Sequence, residues 1–161
     1  MIENSEHFDT EATVRLLNHI METELAGVVR YTHYSLMVYG YNRIPLVSWL
    51  RSQASDAILH AQEAGEWITT LGGHPSLGIG PLLETHKHDI GDIMRESLRS
   101  EQESIDMYRE LLLQVESHSV ALEEYARRMI HEKIKHASEV DKMLRKPGDL
   151  SSFVSRLENE H

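Results

Sequence analysis

Residues 16–38 read LLNHIMETELAGVVRYTHYSLMV and lie inside a stretch, 8–40, that contains no proline. Mostly apolar residues recur in it at steps of three and four, the spacing that places side chains on one face of an α-helix. One acidic residue falls within that face, which comprises Leu17, Met21, Glu24, Val28, Tyr31, Ser35 and Val38. The stretch therefore predicts a long helix that carries a carboxylate into the interior.

Three other segments show the same periodicity and are separated by glycine, proline and serine. A connection without periodicity, residues 73–88, stands between the second and third segments. We predict helices over about 9–41, 45–72, 89–116 and 119–146, and a short fifth helix over 149–158. No segment reads as a strand. The chain, 1–161, is therefore predicted to be one all-α domain, an antiparallel four-helix bundle with a long crossover between its second and third helices.

The two predicted hairpins repeat one pattern of polar residues. His60 follows Glu24 after 36 residues, and His136 follows Glu101 after 35 residues. Each lies near the middle of its helix in an apolar seam, so an antiparallel bundle brings all four to about the same level. A tyrosine stands seven residues after each glutamate, at Tyr31 and Tyr108. These tyrosines are interpreted as core aromatics, with a hydrogen bond to the site as the functional alternative.

Two carboxylates that face one core need a compensating charge, because burying an isolated ionised carboxylate costs several kcal/mol. Glutamate oxygens and neutral histidine nitrogens are ligands that iron, manganese and zinc accept. Taken singly, each residue is more simply a salt-bridged glutamate or a hydrogen-bonded histidine. The repeated spacing and matched depth favour a metal site made of Glu24, His60, Glu101 and His136.

From about residue 10 to residue 157 the chain resembles the ferritin-like superfamily and, within it, the bacterioferritins. The resemblance includes Glu24-Leu25 with Tyr31, His60-Ala61, and the sequence LGGHP at 71–75. The long crossover and the short fifth helix also agree. This resemblance implies a ferritin-like bundle that binds, oxidises and stores iron, and that assembles into oligomers of up to 24 subunits.

In that family a di-iron centre takes one glutamate from each of two helices and a Glu-x-x-His pair from each of the other two. By position, the resemblance implies that Glu24 and Glu101 are the single glutamates and that His60 and His136 are the histidines. The two glutamates of the pairs are replaced, since Ala57 and Lys133 stand three residues before the histidines. The missing carboxylates are the family's bridging ligands.

Two consequences of these replacements are considered. The Lys133 ammonium can supply the positive charge that iron would supply, which gives a metal-free centre. Alternatively, a modified site binds one iron, with Asp56 or Glu132, four residues before His60 and His136, assisting.

Haem is not expected. The family binds haem through a methionine directly after the first missing carboxylate, and here that residue is Ile58, in a segment, 45–72, without methionine.

Composition limits the remaining possibilities. The net charge of −10 argues against nucleic-acid binding, and the absence of cysteine excludes thiolate chemistry. No apolar run approaches a membrane span, and the N-terminus lacks a secretory signal, so a cytoplasmic location is predicted.

Two functions remain open. The first is a bacterioferritin-type iron-binding and iron-storage protein whose di-iron site is impaired, so that ferroxidase activity is weak or absent. The second is a non-catalytic relative in which Lys133 takes the place of the metal. The second would serve as a structural subunit or as the partner of an active one. A homo-oligomer, from dimer to 24-subunit cage, is implied by the resemblance. Apolar interface candidates are Tyr39, Tyr41 and Trp49, and packing in the core or at a helix end is the equal alternative for each.

Overall fold

The computed structural model describes residues 9–82 and 85–150. They form four α-helices, α1 (Thr10–Met37), α2 (Arg43–Thr70), α3 (Ile90–Val115) and α4 (Val120–Leu144), and no strand occurs within those ranges. The predicted all-α four-helix bundle is confirmed. Beyond Leu150, the predicted fifth helix lies outside the described residues.

Side chains cap three of the helices at their N-termini. The Asp9 carboxylate accepts a hydrogen bond from the Ala12 amide at 3.0 Å, and the Asp89 carboxylate accepts one from the Gly91 amide, also at 3.0 Å. The Ser119 hydroxyl accepts from the amide of Leu122 at 3.3 Å. These caps satisfy amides that have no partner within the helix and so fix where each helix begins.

The first helix ends at Met37, not near residue 41 as the sequence predicted. Val38 is extended, and Gly40 takes a φ of +102°, which reverses the chain toward α2. The Arg43 guanidinium donates to the carbonyls of Ser35 and Val38 at 3.2 and 2.6 Å. A side chain from α2 therefore satisfies carbonyls that a longer α1 would have satisfied itself.

The helices pack as two antiparallel hairpins. Helix α1 packs along α2, α3 packs along α4, and α1 also meets α3. Two large apolar clusters fill most of the interior, and a small third cluster contains Ile105 and Ala137. The larger contains the N-terminal half of α1 and the C-terminal half of α2, and the second contains the opposite halves of those helices. Glu24, Ala57, Glu101 and Lys133 fall between the two clusters along their respective helices.

The crossover between α2 and α3 is held against α1. The Gly80 amide donates to the Glu22 carbonyl at 2.9 Å, and the Asn18 side chain binds the backbone of His74 and Ser76. A Cβ at Gly80 would stand 3.2 Å from the Glu22 carbonyl oxygen and 3.3 Å from the Thr23 Cα. Glycine is therefore what lets the crossover approach α1 so closely.

Candidate functional site

Three charged side chains meet at the centre of the bundle, and we call Glu24, Glu101 and Lys133 the charge cluster. The Lys133 Nζ lies 2.8 Å from the Glu24 Oε1 and 3.6 Å from the Glu101 Oε2. All three residues are buried, with exposed fractions of 3%, 3% and 6%. The predicted convergence of Glu24 and Glu101 at one level is thus observed, with an ammonium between them.

Two tyrosines bind the carboxylates in a crossed arrangement. Tyr31 of α1 donates to Glu101 of α3 at 2.7 Å, and Tyr108 of α3 donates to Glu24 of α1 at 3.1 Å. The Tyr31 hydroxyl also lies 2.9 Å from the Ser97 hydroxyl. Burial, and then the neighbouring carboxylate, raise the pKa of both tyrosines well above 10.0, so both stay protonated and donate.

The charges in the cluster stabilise one another against the cost of burial. Burial alone would raise the pKa of Glu24, but the Lys133 ammonium, with help from His60, outweighs it and lowers that pKa to about 2. Burial would lower the pKa of Lys133, but Glu101 and Glu24 outweigh it and raise that pKa above 10.5. Glu24 and Lys133 are therefore both ionised at neutral pH.

His60 connects the charge cluster to the surface. Its Nδ1 lies 3.5 Å from the Glu24 Oε2, and its Nε2 lies 3.3 Å from the Glu132 Oε2. Burial would lower the pKa of His60, but the hydrogen bond and charge of Glu24 outweigh it and raise that pKa above 6.5. Of the two carboxylates predicted to assist, Glu132 is thus in contact with a predicted ligand.

The second histidine has a different environment. His136 is half-buried, and its ring centroid lies 6.3 Å from that of Trp49. Burial lowers the pKa of His136 below 6.5, so the imidazole is neutral at pH 7. Trp49, one of the apolar interface candidates, is partly buried and packs against the second apolar cluster, which agrees with the alternative of core or helix-end packing.

A small cavity and a groove adjoin the charge cluster. The cavity has a volume of about 20 Å³, room for roughly one water molecule, and is lined by all three cluster residues, both histidines and Asp56. The groove, about 440 Å³, opens between α2 and α4, and Asp56, His60, Glu132 and His136 line it. These four polar residues of α2 and α4 can therefore be reached from solvent.

Sequence reasoning missed three residues at this site. Arg30 and Gln53 line the central cavity, and Ser97 binds Tyr31. Ser97 precedes Glu101 by one helical turn, so the helical spacing of α3 contained a signal for it. Arg30 lies beside the predicted seam, and its long side chain, not its position, brings it to the cavity.

The donor set does not fit a pair of metal ions. The Lys133 ammonium occupies the space between the two glutamates, where a cation would bind both. Ala57, at the other position where the resemblance implies a bridging glutamate, is buried and has no donor atom. Within residues 9–82 and 85–150, no group of three or more histidine, aspartate and glutamate side chains is placed to hold a metal ion.

Comparison with known proteins assigns the fold to a family. The ferritin-like domain family matches residues 14–148. A solved structure titled as ferritin like, diiron-carboxylate proteins from Bacillus anthracis str. Ames is similar, with a TM-score of 0.80 and 26% identity. The similarity covers 84% of this chain and 97% of that chain. No curated protein matches. Because the family match spans most of the chain and the bundle agrees with it, this protein belongs to the ferritin-like domain family.

Proposed function

We propose that this chain is a non-catalytic ferritin-like subunit in which the Lys133 ammonium replaces the metal. The observation that carries the proposal is the position of Nζ, 2.8 Å from Glu24 and 3.6 Å from Glu101. The chain then serves as a structural subunit of an oligomer, alone or with an active partner. The closer resemblance to bacterioferritins, and with it the assignment of Ala57 and Lys133 to the bridging positions, is part of this proposal.

Charge supports lysine as a substitute for iron. A buried ammonium between two carboxylates repels an incoming divalent cation and already forms the ion pairs that cation would form. Moving the Lys133 ammonium out of the site would cost free energy, because two buried carboxylates would then face each other without a cation. Ferroxidase chemistry needs two Fe(II) ions held together, and no bridging carboxylate is present at Ala57 or Lys133 to hold them.

Metal analysis of the purified protein tests this proposal. Protein from cells supplied with iron, and protein loaded with Fe(II) in air, should contain no stoichiometric iron by elemental analysis. Its rate of Fe(II) oxidation should equal that of a sample without protein. Two irons per chain with an unchanged fold would overturn the proposal.

Restoring both carboxylates gives the converse test. Ala57→Glu together with Lys133→Glu should create iron binding and Fe(II) oxidation. Ala57→Glu alone should not, because the ammonium remains. Ala57 faces Gly27, which has no side chain, and a Cβ built on Gly27 would lie 3.7 Å from the Ala57 Cβ. A double variant that folds and binds no iron would show that the assigned ligand positions are wrong.

A second candidate keeps iron at a modified, mononuclear site, in a protein that still stores iron. It is supported by the His60 contacts to Glu24 and Glu132, by the neutral His136 imidazole, and by the diiron-carboxylate title of the similar structure. The site would use Glu24, His60, Glu101 and His136, with Glu132 or Asp56 assisting. One iron per chain, lost in His60→Ala, would favour this candidate over the first.

Assembly into a homo-oligomer is also proposed. It is supported by family membership and by apolar side chains exposed at the turn between α1 and α2, where Tyr39 is 69% and Ile44 is 84% exposed and Tyr41 is fully exposed. Within the described residues, no helix is long and apolar enough to cross a membrane. The cytoplasmic location and the absence of haem stay predictions, and a Soret band in protein from haem-supplied cells would contradict the latter.

A further inference from the structure

Three buried polar atoms at the central cavity have no hydrogen-bond partner among the described residues. They are the Gln53 Oε1, the Glu101 Oε2 and the Arg30 Nε. All three residues line the cavity of about 20 Å³ beside the charge cluster. Polar atoms in protein interiors are nearly always hydrogen-bonded. Three exceptions around one space of this size therefore indicate that a small molecule in the cavity binds them.

The neighbouring side chains do not satisfy these atoms. The Tyr31 hydroxyl donates to the other oxygen of Glu101, Oε1. The Lys133 Nζ lies 3.6 Å from the Glu101 Oε2, which is too long for a hydrogen bond. Gln53 is 5% exposed, and only its nitrogen contacts a neighbour, the Ser52 hydroxyl at 3.5 Å. Bulk solvent does not reach the two oxygens, so their partner must lie inside the cavity.

The chemistry of the three atoms favours water over an ion. The oxygens of Gln53 and Glu101 accept hydrogen bonds, whereas the Arg30 Nε–H donates one. A metal or ammonium ion cannot accept from Nε and would be repelled by the Arg30 and Lys133 cations. A simple anion cannot donate to the two oxygens. Water donates twice and also accepts, and the cavity exceeds the roughly 10–15 Å³ that one water needs.

We propose that the central cavity is a binding site for one water molecule, which donates to Gln53 and Glu101 and accepts from Arg30. The proposal rests on the metal-free centre proposed above, because a metal ion would compete for the Glu101 oxygen. It assigns a role to Gln53 and Arg30, the two cavity residues that sequence reasoning missed. The interior of the bundle is then completed by an ammonium and a water together.

A high-resolution crystal structure of the wild type tests the site. Density for one oxygen atom should lie about 2.7–3.2 Å from the Gln53 Oε1 and from the Glu101 Oε2. Density about 2.0–2.2 Å from the Glu101 oxygen would indicate a metal ion and would overturn both this proposal and the metal-free function. A cavity without density would overturn this proposal alone.

Magnetic relaxation dispersion of ¹⁷O-labelled water tests the same site in solution, because it counts water molecules that stay buried for long times. Gln53→Leu exchanges the amide for an apolar side chain of similar size and removes one acceptor. The count should therefore fall by about one relative to the wild type. Gln62→Leu is the matched control, the same substitution at an exposed position of α2, and should keep the wild-type count. An unchanged count in Gln53→Leu, or an equal fall in Gln62→Leu, would refute the proposal.

Discussion

A single ammonium, that of Lys133, decides the chemistry at the centre of the bundle. Two buried carboxylates repel each other and are expensive to desolvate, so a cation between them stabilises the fold. Tyr31 and Tyr108 add a neutral hydrogen bond to each carboxylate. Each of these hydrogen bonds satisfies a carboxylate oxygen without adding charge, so Lys133 is not the only group that stabilises the two buried glutamates.

Lys133→Met should lower the free energy of unfolding by about 3–5 kcal/mol at pH 7, because it leaves buried carboxylates without their partner. Urea unfolding followed by circular dichroism would measure this. Lys135→Met, on the same helix but exposed, should change stability by less than about 0.5 kcal/mol. Equal stability of the two variants would contradict the role assigned to Lys133.

The stability difference between the wild type and Lys133→Met should depend on pH. The pKa of Glu24 is lowered from 4.5 to about 2, so its contribution is present above 4.5 and is lost as the pH falls toward 2. In Lys133→Met, burial without a cation raises the pKa of Glu24 above its value in the unfolded chain. The variant therefore loses stability as the pH rises and Glu24 ionises. Urea unfolding at several pH values should therefore show a gap that widens from pH 4 to pH 7. A constant gap would contradict this.

His60 and His136 should titrate at different pH values, although they occupy equivalent positions in the repeat. Glu24 raises the pKa of His60, whereas burial lowers the pKa of His136. Nuclear magnetic resonance of the imidazole C–H signals should show His60 titrating above pH 6.5 and His136 below it. Signals assigned with His60→Gln and His136→Gln that appear in the reverse order would refute the electrostatic description.

At the scale of the helices, the sequence predicted the composition of the buried face well. The steps of three and four identified Glu24, Glu101 and Lys133 as inward-facing, because helical periodicity fixes the face on which a residue lies. The crossed pairing of Tyr31 with Glu101 was not predictable. It depends on the axial register between α1 and α3, which packing sets and periodicity does not contain.

The residue at which α1 ends and the different environments of His60 and His136 also could not be predicted from the sequence. The C-terminus of α1 depends on a side chain from α2, Arg43, that reaches back to its carbonyls. His60 and His136 occupy equivalent positions in the repeat, but only His60 contacts Glu24. Repetition predicts where residues stand, whereas the pKa depends on the nearest charge.

The crossover should depend on the small size of Gly80. Gly80→Ala would place a Cβ 3.2 Å from the Glu22 carbonyl oxygen, so backbone must shift, and stability should fall by about 1–3 kcal/mol. Gly78→Ala is the matched control, because its Cβ would meet only the ends of the Glu22 and Ser76 side chains. Thermal unfolding should separate the two variants. A larger loss in Gly78→Ala would contradict this account.

At the scale of the whole molecule, the exposed turn between α1 and α2 should be an interface. Ile44→Asp or Tyr41→Asp would place a charge within that apolar surface and should reduce the mass in solution, measured by light scattering, without changing the helical content. Leu113→Asp, at an exposed apolar position on α3, is the control and should assemble as the wild type does. Unchanged assembly of both turn variants would exclude this surface.

The covalent attachment of the central cation to the chain has a consequence for the cell. A bound metal must be delivered, can be exchanged for a competing ion and can be withdrawn when nutrients are scarce. Lys133 is incorporated during translation, so every newly made copy emerges with its interior already complete. The free energy of unfolding should consequently be the same for protein from starved and from iron-replete cultures.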